Sequence, residues 1–209
     1  MPRVIVIPCL ILAAMLSGTA RADTKSEALV LGVLLLTDNN TARWVRGHSN
    51  FPTARRFAEN LSRYGDPWKL TGACLVASQR LSDGEQQTRY KLAATAAVET
   101  GAITGILKLA THRRRPEEKF ARETNPKARS NYTSFPSGHT SGDFAIFTAL
   151  AQQDGRHRGL YLGVAGLVGL SRIYLGRDYA SDVFAGAVIG TLVAKHAVAR
   201  DRGLLSWRF

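Results

Sequence analysis

Apolar positions recur along most of this chain with the spacing of helices rather than strands. The run 28–36 follows Thr24-Lys-Ser-Glu27, where Thr and Glu stand at capping-box spacing. Asp66-Pro67 reads as an N-cap followed by proline in the first turn, which predicts a helix over about 67–80. Ser82 or Asp83 caps a long alanine-rich helix through about 110, and Pro136 opens another to about Gln153. The stretch 157–175 is apolar with glycine at 159, 163, 166 and 169. Small residues at such spacings let a neighbouring helix approach closely, although each lowers helix propensity. Ser181 caps a last helix to about Arg200. The segment 111–135 is basic and rich in Pro, Asn and Ser, and reads as a long loop of the kind that often carries function. The sequence shows no internal repeat and no low-complexity tract. The fold class predicted is all-α, a single helical bundle of about six or seven helices.

The N-terminus has its own pattern. Arg3 precedes the apolar residues 4–16, and small residues then lead to Ala20-Arg21-Ala22. A basic start, a short apolar stretch and an A-x-A site describe a secretory signal over residues 1–22, leaving a single domain over 23–209. The alternative is an uncleaved anchor, because residues 4–20 carry no charge; a span usually needs about 20 apolar residues. No later charge-free run exceeds 13 residues, as at 130–142 and 159–171. The remaining chain is therefore expected to be exported, periplasmic or extracytoplasmic, and mostly soluble.

Charge narrows the partners. The 209 residues include 28 Lys and Arg against 16 Asp and Glu, a net charge of +12, while 45% are hydrophobic. That hydrophobic content excludes a disordered tail. The excess of base asks for nucleic acid, an anionic membrane face or a phosphorylated substrate. No aromatic-interleaved basic surface stands out, so nucleic acid is not expected as a partner. Trp44, Trp68 and Trp207 are widely spaced and read as core or interface anchors. Without Cys9 in the leader, Cys74 is alone; it forms no internal disulfide and reads as a buried small hydrophobe within 70–77.

Three segments at helix ends carry candidate chemistry. In Lys108-Leu-Ala-Thr-His-Arg-Arg-Arg115-Pro116, two cations flank a helix end and could cradle a dianion. In Phe135-Pro136-Ser137-Gly138-His139, a helix start offers free N–H groups to an anion. Ser137 adds a hydroxyl, Gly138 lets the backbone come close, and His139 can transfer a proton. In the third, Arg172 interrupts an apolar helix, a costly position unless an anion or carboxylate awaits it, and Asp178 and Asp182 follow. Each segment alone also suits an ordinary helix terminus.

Together and in this order, they resemble the type 2 phosphatidic acid phosphatase and vanadium haloperoxidase superfamily. Its pattern is Lys-x6-Arg-Pro, then Pro-Ser-Gly-His, then Ser-Arg-x5-His-x3-Asp, and the match covers about residues 85–198. The resemblance implies that Lys108, Arg115 and Arg172 bind phosphate oxygens, with Ser137 and the Gly138 backbone adding hydrogen bonds. It implies that His139 protonates the leaving alkoxide and that Asp182 orients the nucleophile. The activity implied is phosphoric monoester hydrolysis of the phosphatidate or acid phosphatase type, on a lipid or small soluble phosphoester, with no cofactor or metal required. Peripheral contact with anionic membrane also fits the charge.

One position departs from the pattern: Asp178 stands where the family places its nucleophilic histidine. Peroxidase chemistry is not expected without the ligating imidazole. Three readings remain open. The chain binds phosphate with little turnover; Asp178 itself attacks phosphorus; or water attacks with Asp178 as base, aided by a metal. For the last, His139, Asp143, Asp178 and Asp182 could converge on a divalent ion, whereas the plainer reading pairs Asp143 with an arginine of 113–115. His112, inside the first motif, could approach the phosphate. His48, His157 and His196 read as surface residues.

Overall fold

The computed structural model describes residues 24–49, 51–127 and 132–206, with side chains as far as Asp201. The expected leader at 1–22, Cys9 and Trp207 lie outside the described residues. The described residues form helices: α1 Thr24–His48, α2 Pro52–Tyr64, α3 Pro67–Arg80, α4 Gly84–Thr111, α5 Pro116–Thr124, α6 Gly138–Gln153, α7 Arg158–Tyr174 and α8 Ala180–Ser206. Seven of these have 13 residues or more, and α5 has nine. A 3-10 turn, Gly155–His157, leads into α7. This is the all-α bundle that the periodicity predicts.

Helix starts follow local chemistry. The Asp66 side chain accepts from the N–H groups of Trp68 and Lys69 at the head of α3. Of the two candidates for α4, Asp83 is the cap, accepting from Glu85 N at 2.9 Å. Two expected helix starts are corrected. Helix α6 begins at Gly138 rather than Pro136, and its cap is Ser137. Helix α8 begins at Ala180. There the Asp182 carboxylate reaches back to the Tyr179 N–H at 2.9 Å, as the third residue of a capping box does. Ser181 gives both its N–H and its hydroxyl to Asp38 instead.

Two helices escaped the pattern. α2 starts on Phe51-Pro52 with no side-chain cap. α5 corrects the reading of 111–135 as one long loop. Arg115 is its N-cap residue and Pro116 its first position, where a missing N–H costs nothing. Glu117 and Glu118 in the first turn complement the helix dipole.

Helix α6 is the axis of the bundle. It packs on α8, α4, α7 and α3, and eleven of its 16 residues are buried. An alanine-rich layer with Cys74, Ile146 and Leu150 fills one side, and Phe144, Ile173, Val183 and Phe184 fill the other. Burial pushes the Cys74 thiol up to about 11, as for an inert core residue. Between α6 and α8 the backbones touch. A Cβ on Gly190 would lie 2.1 Å from the Ser141 carbonyl, and one on Gly186 would lie 2.7 Å from the Ser137 carbonyl. Of the α7 glycines, Gly169 is close-packed against Val183 and Thr140, while Gly159 and Gly163 face open space.

Charge-free run length gave too strict a test of membrane-spanning capacity. α4, within Gly84–Thr124, and α8, over Ala180–Asp201, are long and apolar enough to cross a membrane. A helix tolerates isolated charges near its ends, where long side chains reach out to water.

Candidate active site

Three cations converge from three elements. Lys108 sits in the last turn of α4, which ends at His112 in the left-handed conformation. Arg115 heads α5, and Arg172 lies buried near the end of α7. All three line one cavity of about 250 Å³, together with Gly138, His139 and Asp178. Pro67, Trp68, Thr71, Ala97 and Gly101 make its other, more apolar wall. Lys108 also fixes the segment that leads into α6 by donating to the carbonyls of Thr133 and Pro136. Arg115 Nε is buried and has no hydrogen-bond partner among the described residues.

Arg172 is the centre of the charge arrangement. Its Nε donates to Asp178 Oδ2 at 2.9 Å, and a terminal nitrogen donates to Ser62 Oγ of α2 at 3.0 Å. Ser137 Oγ donates to the same Asp178 oxygen at 3.0 Å. Burial alone would raise the Asp178 carboxyl. Arg172, with Arg115 and the Ser137 hydroxyl, instead holds it below the usual carboxylate range. Asp178 is thus an ionised group on the cations of this cavity. Ser137 stands behind it rather than on the cavity wall.

Asp182 lies elsewhere. Its carboxylate accepts from Arg113 at 2.6 Å, from the Ser134 hydroxyl and from Tyr179 N. Arg113 also pairs with Asp38 of α1 at 2.6 Å and stacks over the Tyr179 ring. Two carboxylates one turn apart repel, and each here has its own arginine. The expected pairing of Asp143 with an arginine of 113–115 is corrected. Arg113 holds Asp38 and Asp182, Arg114 reaches the Tyr132 hydroxyl, and both Asp143 oxygens are buried without a partner among the described residues. Burial, with Asp66 nearby, pushes the Asp143 carboxyl well up, with Arg172 opposing. Among the described residues no three His, Cys, Asp or Glu side chains are placed to share one ion.

His139 occupies the first turn of α6 and faces the cavity. Burial and the Arg172 charge bring its imidazole down to about 4, with Asp178 and Asp66 opposing. With that value the imidazole is neutral at neutral pH. A phosphate dianion would offset the arginines and favour the imidazolium. His112 stacks on Tyr132 at 4.7 Å and does not line the cavity. His48, His157 and His196 are exposed.

The sequence pattern missed four contributors. Ser62 carried no signal. Asp38, Asp66 and Trp68 showed only a polar helix residue, a cap and an apolar anchor. Trp68 proves to be exposed at the cavity wall rather than a core residue.

A family model described as the PAP2 superfamily matches residues 89–202. The chain is similar to a lipid A 1-phosphatase of Rhizobium etli, at 33% identity over 100 residues, 46% of this chain and 43% of that protein. It is also similar to lipid phosphate phosphatase 1 of Arabidopsis thaliana, at 35% identity over 127 residues, 46% of this chain and 39% of that protein. The match thus spans about two fifths of the length of these curated relatives. Among solved structures, Aquifex aeolicus LpxE superposes with a TM-score of 0.55 at 21% identity, over 77% of this chain and 93% of that one. A transmembrane PAP2 type phosphatidylglycerolphosphate phosphatase from Bacillus subtilis gives 0.58 at 16% identity, over 97% and 98%. At such identities the likeness is one of fold.

Proposed function

The chain belongs to the PAP2 superfamily, and from that premise we propose that it is a membrane-associated phosphatase acting on phosphate monoesters carried by lipids. The observation that carries this reading is the cavity itself, where Lys108, Arg115 and Arg172 face the first turn of α6 beside an apolar wall. The phosphatase names of the relatives and the outward apolar faces of the helices support the lipid substrate and the membrane. Placement outside the cytoplasm rests on the leader pattern of residues 1–22 alone, and a cleaved N-terminus in the mature chain would test it.

The chemistry proposed is phosphoryl transfer by position and charge. Phosphate oxygens accept from Arg115, Arg172 and Lys108 and from the N–H groups at the α6 start. An Asp178 oxygen attacks phosphorus as the ester P–O bond breaks, and His139 gives its proton to the leaving oxygen. Water then cleaves the aspartyl phosphate and releases inorganic phosphate. Asp178 must first yield Arg172 and Ser137 to the substrate. That same ion pair favours a second reading, in which Asp178 fills the seat of a phosphate oxygen and the chain binds phosphate without turning it over.

Phosphate release from phosphatidate in detergent micelles separates the two. The wild-type chain is expected to be active, with Asp178→Ala lowering kcat about 100-fold or more. An inactive wild type that binds phosphate, with activity appearing in Asp178→His, would establish the binding reading. Equal rates on phosphatidate and on p-nitrophenyl phosphate would count against a lipid preference.

A further inference from the structure

Asp66 divides its carboxylate between two tasks. Oδ1 accepts from Trp68 N at 3.1 Å and Lys69 N at 3.2 Å and so caps α3. Oδ2 lies 3.9 Å from His139 Nε2, across the gap between α3 and α6. That gap has no slack. One turn beyond His139, a Cβ on Gly142 would come within 2.4 Å of the Pro67 Cβ, so the start of α3 rests directly on α6. Thr71 Oγ donates to the Pro67 carbonyl at 2.6 Å and stiffens the same turn. The cap, the proline and the glycine thus fix a carboxylate beside the imidazole.

The other charges around His139 are already placed. Arg172 from α7 and Arg115 from the head of α5 oppose its protonation, and Lys108 from α4 lines the same cavity. Asp178 is held by Arg172 and Ser137. Asp143, one turn along α6, is buried with unpartnered oxygens. We infer that Asp66 is a positioning residue for His139, holding the ring and favouring the imidazolium that protonates the leaving oxygen. The inference rests on the proposed phosphatase reading and adds a member to its site. At 3.9 Å the contact is an ion-pair distance rather than a hydrogen bond. Contacts of this kind often shorten when substrate completes the site. Asp66 is also partly open to water, so after each turnover His139 can regain its proton from solvent beside it.

Asparagine caps helices about as well as aspartate. Asp66→Asn therefore removes the charge and keeps α3 intact, whereas Asp66→Ala removes both. The imidazole C2 proton of His139 is followed by NMR in the full chain in micelles, with and without inorganic phosphate. kcat and KM for p-nitrophenyl phosphate are measured from pH 4 to 8. In Asp66→Asn the His139 midpoint is expected to fall, and kcat at pH 6 to drop about three- to tenfold, with KM and Tm near wild type. An unchanged His139 midpoint and pH profile in Asp66→Asn would overturn the inference. So would losses confined to Asp66→Ala and tracking its Tm, the mark of a cap and nothing more. A wild-type chain without turnover would defeat the phosphatase reading instead, and the His139 titration would still decide the role of Asp66.

Discussion

Arg172 is a cation that α7 carries into its own core, and its neighbours are what make that position tolerable. Removing one partner of such a pair leaves a buried charge uncompensated, which costs more than the pair itself contributes. Asp178 and Ser62 are those partners. His139 presents the opposite case, a base that burial keeps neutral. Its native value of about 4 lies below the 6.5 of an unperturbed imidazole. The unfolded chain therefore binds the extra proton first, and this stability is complete above pH 6.5 and is lost as the pH falls towards 4. At full strength the difference is worth roughly 3 kcal/mol. Melting curves at pH 7.5 and 4.5 should separate by less in His139→Gln than in wild type, and saturating phosphate should narrow the gap in wild type. Asp143 runs the other way. Its raised carboxyl stabilises the native state at low pH, and that contribution declines as the pH rises above 3.8. Asp143→Asn is thus expected to melt higher than wild type at pH 8 and to match it near pH 4. The cradle residues were legible because their types and spacings make a pattern along the chain. The partners of Arg113 and Arg172, and the lack of one for Asp143 among the described residues, were not. Ion pairing between helices depends on which faces meet, and a single sequence does not display that.

At the scale of elements, the decisive contact is backbone on backbone. Gly186 and Gly190 stand four apart on α8 and lie against the Ser137 and Ser141 carbonyls of α6. The Ser137 N–H also donates to the Asp182 carbonyl at 3.0 Å. The second motif is therefore held by the helix that carries the end of the third. Gly190→Ala is expected to force the helices apart and destabilise the chain by about 1–3 kcal/mol, since backbone cannot yield as a side chain can. Thermal melting with phosphate release checks it, and activity should fall in step because the α6 start moves. The long helices were readable from their caps and periodicity. Short α5 was hidden by the basic, proline-rich composition around it. Its own signals were local and specific: proline at the first position and two glutamates after it. α2 offered a proline without a capping side chain, and the residues it buries, Ala58 and Ser62, are too small and too polar to make an apolar stripe.

At the scale of the molecule, the surface is two-natured. It carries a net charge of +12, yet Leu29 and Leu36 on α1 and Leu109 on α4 are 71%, 85% and 80% exposed. Apolar side chains scattered singly are ordinary, but repeated along several helices they mark a surface that contacts something other than water. Salt screens charge and leaves apolar burial intact. Expressed in cells, the chain is expected to stay with membranes through 1 M salt and to be released by detergent. Release by salt alone would assign the attachment to the basic residues. The three N-terminal helices bear on a different question, the autonomy of the motif-bearing part. Each supports its buried charges with a side chain: Asp38 of α1 meets Arg113, Ser62 of α2 meets Arg172, and Asp66 at the head of α3 meets His139. A fragment starting at residue 85 would inherit every recognisable motif and none of these supports. The stretch by which the family is recognised is therefore shorter than the unit that can hold the site in working order.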